Sequence, residues 1–392
     1  MTVTGLPRVH ILTPSLAPYD AIGNDVAQMR DTFLRHGYPV RIFAEGIHPR
    51  CAGIAEPLSK APADFWQSSE DILIYHHSMG WGSGEAILFN TRNRIVLRHH
   101  NVTPPRFFAP YSIHYQQACT AGLEATKKIA GLRNMIVLGD STFNCADLIA
   151  LGVPAATCRV LAPLHLTEEL GHAPFDIPTI QRYSGEVVNI LFVGGIKPNK
   201  GHARAIRAFA VYRHQFNSRC QLIFSGGIDD RLRNYVEDLR QLAARLGVAD
   251  QVVFTGSVTA SQLKSLYVAA DIFLCTSEHE GFCVPLVEAM YFRVPIVAWG
   301  KAAVSETIGG CGFVLEHWDE LHCAAYISEL VNDTDLATRF GDLGRQRYHE
   351  VFSPGVLHRK LFDIIARLPG RLGETSMTER SGTNTYGAGV RS

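Results

Sequence analysis

Short apolar runs recur along this chain in two separate series, and that recurrence restricts the fold more than any other feature. The first series comprises residues 9–13, 40–43, 71–75, 94–97 and 135–138, with helical spacing between most of them. The second comprises residues 187–193, 220–224, 251–254, 271–274, 295–298 and 312–315. Runs of Val, Ile, Leu and Phe without polar alternation fit strands covered on both faces, as in parallel sheets flanked by helices. The alternation of strand and helix therefore predicts an α/β protein of two doubly wound, Rossmann-like domains. Residues 1–165 form the first domain and 187–352 the second. Between them 166–186, with acidic and proline residues and little periodicity, reads as a linker. Ligands of such sheets bind beyond the carboxyl ends of the strands, so the expected site is a central cleft between the facing domains. Beyond residue 369 Gly, Ser, Thr and Arg replace the apolar pattern, and 369–392 reads as a flexible tail.

Composition sets the boundaries of function. A chain of 392 residues with 46% hydrophobic content can bury two cores. Its 37 basic and 37 acidic side chains cancel, which argues against an overall electrostatic grip on nucleic acid. The first thirty residues lack a signal-peptide succession, and no apolar run approaches the roughly 20 residues that span a bilayer. The expected location is cytoplasmic, with peripheral contact at the inner face of a membrane as the variant of that reading. Nine scattered cysteines without a Cys-x-x-Cys pair read as reduced thiols, most of them small core residues.

The densest chemistry lies in the second series. Glu280 and Glu288 stand with seven residues between them in Ser277-Glu-His-Glu-Gly-Phe-Cys-Val-Pro-Leu-Val-Glu-Ala-Met290. Residues 271–276 read as a short buried strand, and Pro285 suits the first turn of a helix. The turn between them offers free backbone N–H groups and a helix dipole to an anion. One carboxylate is thus at the turn and the other about two turns along the helix. A diphosphate joining two hydroxyl-rich rings has that shape, because each ring can donate hydrogen bonds to a carboxylate. Upstream, Gly194-Gly-Ile-Lys-Pro-Asn-Lys-Gly201 links a strand to a helix. Its glycines allow close backbone approach, and Lys200 supplies a point charge suited to phosphate.

The segment 277–290, followed by Val294-Pro-Ile-Val297 and Ser305-Glu-Thr307, resembles the Glu-x7-Glu signature of the retaining glycosyltransferases of GT-B fold. The resemblance is to glycosyltransferase family 4 (glycosyl transferases group 1), of the bacterial polysaccharide and O-antigen type. It implies a GT-B architecture in which 353–368 is a helix crossing back to the first domain. It implies that Glu288 holds the ribose hydroxyls, that the N–H groups of Phe282, Cys283 and Val284 take the distal phosphate, and that Glu280 orients the donor sugar. The 194–201 segment is similar to the family's Gly-Arg-x-x-x-x-Lys-Gly element, which makes Gly194 a donor contact and assigns Lys200 to the leaving diphosphate. Gly195 occupies the arginine position, however. Lys197, two residues away, is a partial substitute without the bidentate fork. Ser225-Gly226 and Thr255-Gly-Ser-Val258 fall where family members surround the nucleotide base, which places Val258 in the donor site.

In the first domain, Gly23 of Asp20-Ala-Ile-Gly-Asn-Asp25 sits where the family carries a glycine-bearing loop, and its backbone is expected near the diphosphate or the reacting sugar. His76 and His77 close one predicted strand, and His99 and His100 follow the next. The element from His100 to Pro104 looks like one in bacterial members whose histidine contacts a sugar hydroxyl, which assigns that role to His100. Adjacent histidines on a strand point to opposite faces and do not readily share an ion. Asp333-Thr-Asp335 has the Asp-x-Asp pattern of metal-dependent transferases, but it precedes a helical run and reads as its cap. No metal and no cofactor are expected.

These expectations add up to a transferase that moves a hexose from a nucleotide diphosphate sugar to a glycan or a polyprenyl-linked oligosaccharide in surface polysaccharide synthesis. The resemblance makes GDP-mannose the first donor candidate and UDP-sugars the next. Two alternatives stay open: a GT-B sugar-nucleotide epimerase shares the architecture, and Gly195 also fits a non-catalytic sugar-nucleotide or glycan-binding module.

Overall fold

Both series of apolar runs become parallel sheets. The structure, a computed structural model, describes residues 5–18 and 20–368, so the tail expected at 369–392 lies outside the described residues. In the first domain the elements are β1 (Val9–Leu16), α1 (Ala21–Arg35), β2 (Val40–Ile47), β3 (Glu56–Pro57), β4 (Ile72–His77), α2 (Gly82–Asn90), β5 (Arg94–His99), α3 (Ile113–Ile129), β6 (Met135–Gly139), α4 (Thr142–Ala150) and β7 (Cys158–Val160). Two short helices follow, α5 (Thr167–His172) and α6 (Ile177–Tyr183). The second domain runs β8 (Val188–Val193), α7 (His202–Gln215), β9 (Cys220–Ser225), α8 (Arg233–Arg245), β10 (Val252–Gly256), α9 (Ala260–Ala269), β11 (Ile272–Cys275), α10 (Val284–Tyr291), β12 (Ile296–Trp299), α11 (Val304–Ile308), β13 (Phe313–Leu315), α12 (Glu320–Asn332) and α13 (Thr334–Arg347). A π-helical turn, Tyr348–Phe352, leads into α14 (Pro354–Ile365).

The first sheet has the strand order β3-β2-β1-β4-β5-β6-β7 and the second β10-β9-β8-β11-β12-β13. In each, the order of winding reverses beside the first strand, between β1 and β4 and between β8 and β11. These switch points are where the loops leaving adjacent strands diverge and a crevice opens. Strand β4 shows why the runs are continuous rather than alternating, since every one of its residues from Ile72 to His77 is buried. The additional strands β3 and β7 are only 2 and 3 residues long, too short to register as apolar runs.

Helix α1 starts at Ala21, where the Asp20 carboxylate accepts the Gly23 N–H at 3.0 Å and caps it. The linker is helical rather than irregular. Helices α5 and α6 have 6 and 7 residues, too few to display a 3.6-residue period. They are held on the second domain, where Lys264 Nζ donates to the carbonyls of Gly171 and Ala173 at 2.8 and 2.7 Å and the Asp176 N–H donates to Ser265 Oγ at 2.8 Å. Helix α14 returns to the first domain, where Phe362 packs on Phe33 and His36 with ring centroids 5.5 and 4.1 Å apart.

The core also contains histidines that stay neutral. His10, His77, His165 and His202 are all buried. Burial pushes the first three imidazoles down to about 4 and His202 to about 3, the latter helped by the adjacent Lys200 charge. The unfolded chain takes up protons below about 6.5, whereas the folded chain does not. Stability is therefore fully present above that pH and declines as pH falls toward 4. His202 lies between Phe192 and Phe224, with centroids at 4.6 and 5.0 Å, so phenylalanine suits the same space. His202→Phe is expected to shrink the difference in unfolding free energy between pH 7.5 and pH 5 by about 1–2 kcal/mol, measured by urea denaturation. An unchanged difference would show that His202 does not contribute to the acid limb.

Candidate active site

The second domain brings its chemistry to the β8/β11 switch point on two loops. Gly201 has φ 75°, and a Cβ there would lie 2.0 Å from the Thr276 carbonyl oxygen, so only glycine permits the loops to touch. Thr276 Oγ1 donates to the Gly201 carbonyl at 2.9 Å and the Glu278 N–H to the Asn199 carbonyl at 2.8 Å. Across this seam Lys200 Nζ meets Glu280 Oε1 at 2.6 Å, and Ser277 Oγ donates to the same oxygen at 2.8 Å. Burial opposes a charge on Lys200, but the Glu280 carboxylate more than offsets it and holds the ammonium above its ordinary pKa. The lysine stem passes Gly194, whose φ is 145°, with Cδ 3.2 Å from where a Cβ of residue 194 would sit. Lys200, Glu280 and Gly194 are thus one cluster.

The turn after Glu280 leads into α10 through Cys283, a non-glycine residue in the left-handed region at φ 77°. That conformation costs on the order of 1–2 kcal/mol and persists only where its surroundings enforce it. Here Thr307 Oγ1 donates to the Phe282 carbonyl at 2.8 Å, and the Phe282 ring packs edge-on against Phe352 at 5.5 Å. Among the described residues no acceptor takes the backbone N–H groups of Phe282, Cys283 or Val284. Successive free N–H groups around a left-handed residue form a concavity for an anion. Glu288 lies one turn into α10 rather than the expected two, because the helix begins only at Val284; it accepts from Tyr267 Oη at 2.6 Å, and burial raises its carboxyl above the usual range. Val258, between β10 and α9, is half-buried against the core beside these elements.

Lys197 is exposed and makes no ion pair among the described residues. Its Cε lies 3.8 Å from the position a Cβ of residue 195 would occupy. The lysine stem therefore lies beside the space in which an arginine at 195 would begin.

The first domain builds its rim around a buried charge. Arg98 on β5 donates from Nε to Asp25 Oδ2 at 2.8 Å and from Nη1 to the Leu161 carbonyl at 2.7 Å, and its Nη2 lies 3.0 Å from Asp140 Oδ1. Asp140 Oδ2 holds His100 Nδ1 at 3.0 Å, and His100 Nε2 meets His76 Nδ1 at 2.8 Å. Both nitrogens of His100 are thus engaged within the protein and its side chain is 3% exposed. The His100 ring, expected beside a sugar hydroxyl, thus lies within a hydrogen-bonded network of the first domain. At Gly23, the other first-domain position expected near the donor, the N–H is taken by Asp20 and a Cβ would meet the Ala17 carbonyl oxygen at 2.4 Å, so backbone packing at the head of α1 requires glycine. Asp25, His76 and His100 bring one potential ligand atom each within 4.8 Å of one another. The donor set does not suit a cation, because Asp25 already accepts from Arg98 and, through Oδ1, from the Leu164 N–H at 2.7 Å.

This network positions the contact with the second domain. Gly281 presses so closely on the first domain that a Cβ would lie 2.7 Å from the His100 carbonyl oxygen and 3.0 Å from Asn144 Nδ2. Ser141 Oγ donates to the Gly281 carbonyl at 2.8 Å. Glu306 accepts the Thr142 N–H at 2.9 Å, placing a carboxylate of one domain at the positive N-terminus of helix α4 in the other. At the far edge Tyr115 Oη donates to Asp229 Oδ2 at 2.6 Å. Asp229 also caps the short turn that follows it by accepting the Arg231 N–H at 2.9 Å. Asp333 caps α13 through Leu336 N–H at 2.9 Å, as its setting suggested.

Two Rossmann-like parallel sheets, facing each other across paired switch points with a turn of free N–H groups and two carboxylates on one side, define the GT-B fold. Residues 180–347 match the family of glycosyl transferases group 1. The GDP-mannose-dependent alpha-(1-6)-phosphatidylinositol monomannoside mannosyltransferase of Mycobacterium tuberculosis is 28% identical over 223 residues, 54% of this chain and 56% of that protein. O-antigen chain mannosyltransferase B of Escherichia coli is 29% identical over 213 residues, 53% of this chain and 55% of that one. The chain thus spans about half the length of these curated relatives. The sucrose-phosphate synthase structure from Thermosynechococcus elongatus shares the fold with a TM-score of 0.72 at 16% identity, over 92% of this chain and 99% of that one. Among the described residues no helix is long and apolar enough to cross a membrane.

Because Gly281 has no room for a methyl group, Gly281→Ala is expected to hold the domains apart. The signature is an increased radius of gyration by small-angle scattering with a melting temperature near that of the parent. An unaltered scattering profile would mean that the contact is not obligatory for closure.

Proposed function

We propose that the protein is a retaining glycosyltransferase that moves a hexose, mannose as first candidate, from a nucleotide diphosphate sugar to a hydroxyl of a glycan or lipid-linked oligosaccharide. The observation that carries this reading is the Lys200–Glu280 pair across the switch point, directly before a turn of free N–H groups and one turn before Glu288. Glu288 holds the ribose hydroxyls, displacing or sharing the Tyr267 hydroxyl. The N–H groups of Phe282, Cys283 and Val284 take the distal phosphate, with Gly194 giving backbone access and Val258 lying toward the base. Glu280 accepts from sugar hydroxyls while Lys200 balances the charge that accumulates on the departing diphosphate. Fixed charges of this kind stabilise a transition state without reorganising during the reaction. The acceptor hydroxyl attacks from the leaving-group face and passes its proton to a phosphate oxygen, so no side-chain nucleophile is required. The mannosyl relatives support GDP-mannose as the first donor to test.

Nucleotide release measured over a panel of GDP- and UDP-sugars, with and without a lipid-linked acceptor, tests the activity. Glu288→Ala is expected to raise the donor KM about tenfold, the value of one hydrogen bond to a charged group. Glu280→Gln is expected to lower kcat about a hundredfold with a smaller change in KM. Unchanged kinetics in both variants would remove the carboxylates from the site.

The second reading, a non-catalytic binding module, is favoured by Gly195 alone. The position of the Lys197 stem beside that glycine supports an active enzyme with a lysine in place of the arginine. Lys197→Ala is then expected to reduce kcat about tenfold. Tight donor binding without turnover in the parent chain, with turnover appearing in Gly195→Arg, would decide for the module.

A further inference from the structure

A second cavity beside this site has a strong charge bias. A pocket of about 420 Å³ between the domains is lined by Arg106 and Tyr111 of the first domain and by Arg204, Arg207 and Glu278 of the second. That is within the range of small-molecule sites. Its lining adjoins the donor cluster in sequence, Gly201 following Lys200 and Glu278 preceding Glu280 by two, yet it includes neither of those charged residues nor the turn 282–284. Three guanidinium groups face one carboxylate. Glu278 pairs with Arg204 at 3.2 Å, leaving Arg106 and Arg207 without an anion. Both are exposed, and among the described residues neither forms an ion pair. Arg204 lies over the Trp299 ring at 4.6 Å, and its buried Nε has no hydrogen-bond partner. The same wall contains the first turn of α7, a helix of 14 residues whose dipole favours negative charge.

We propose that this pocket binds a phosphate ester carried by the acceptor, adjoining the sugar that is glycosylated. The inference rests on the transferase reading for the word acceptor, but the binding itself does not. Arginine matches phosphate because its planar fork donates two parallel hydrogen bonds. A neutral sugar offers the two unpaired guanidinium groups hydroxyl acceptors but no charge and no bidentate match. A phosphate gripped by Arg106 from one domain and by Arg204 and Arg207 from the other also favours the closed arrangement.

The test is calorimetry on the full chain with a saturating nucleoside diphosphate, so that the donor's anion site is filled. Three probes carry the same hexose: a neutral alkyl glycoside, the hexose 1-phosphate, and a prenyl-diphosphate-linked form. The 1-phosphate is expected to bind at least about tenfold more tightly than the neutral glycoside, and less tightly as salt rises. Arg106→Gln and Arg207→Gln, both at exposed positions, are each expected to remove about tenfold of that preference while nucleotide affinity stays within about twofold. Tighter binding of the prenyl diphosphate than of the 1-phosphate supports the proposal with a lipid-linked source, and equal binding supports it with a soluble one. Equal affinity for neutral and phosphorylated probes, or unchanged binding in both variants, overturns it. Phosphate binding without nucleotide-sugar turnover would instead count against the transferase reading and leave the pocket assignment standing.

Discussion

The buried guanidinium of Arg98 is the interaction on which the arrangement of the cleft depends. Its side chain is fully buried, and an isolated charge in that position would cost many kcal/mol in lost hydration. Burial works against its charge, but Asp25 and Asp140 raise its pKa above the ordinary value. These partners come from α1 and from the end of β6, and the Leu161 carbonyl comes from the segment after β7. One side chain therefore fixes three parts of the first-domain rim relative to β5. Asp140 in turn fixes His100, and Ser141, the next residue, reaches across to Gly281. The position of Glu280, adjacent to Gly281, is set from both domains.

The second domain solves the same problem with a different pair. Lys200 and Glu280 approach from strands adjacent in the sheet but 80 residues apart in the chain. Neither is left with an uncompensated charge. A site built on paired charges pays its desolvation cost during folding, so a ligand meets groups already oriented. The glycines at 201 and 281 make this possible in different ways. Gly201 brings two loops of one domain into contact, whereas Gly281 brings the domains themselves together.

That distinction explains what was legible in the sequence. Parallel strands declare themselves because burial on both faces leaves no polar alternation, and all eleven predicted runs correspond to strands. The turn 277–283 was also legible, because a strand end, a glycine and Pro285 punctuate it locally. What escaped is carried by contacts between distant residues. Asp25 and Arg98 are separated by 73 positions and Thr142 and Glu306 by 164, and nothing near any of them marks a partner. His100 illustrates the limit from the other side: its place after a strand says nothing of Asp140 and His76, which the fold brings to its ring. The helices α5 and α6 were missed for a simpler reason, since fewer than two turns cannot establish a period.

The replacement of an arginine by Gly195 has a consequence that the rest of the cleft helps to absorb. A guanidinium supplies both charge and direction to a diphosphate, whereas a lysine supplies charge alone. Lys200 beneath Gly194 is already paired with Glu280, so the charge at the loop without a partner among the described residues is that of Lys197, beside position 195. Direction must come from elsewhere, and the backbone turn at Phe282, Cys283 and Val284 is rigid enough to provide it. Cys283 holds a left-handed conformation that a β-carbon disfavours, and it is kept there by the Thr307 hydrogen bond and by Phe352 packing on its neighbour. Strain maintained at that point fixes where the N–H groups aim. On the proposed transferase reading, orientation of the phosphate therefore shifts from a side chain to the main chain, and the crossover segment carrying Phe352 becomes part of what holds it.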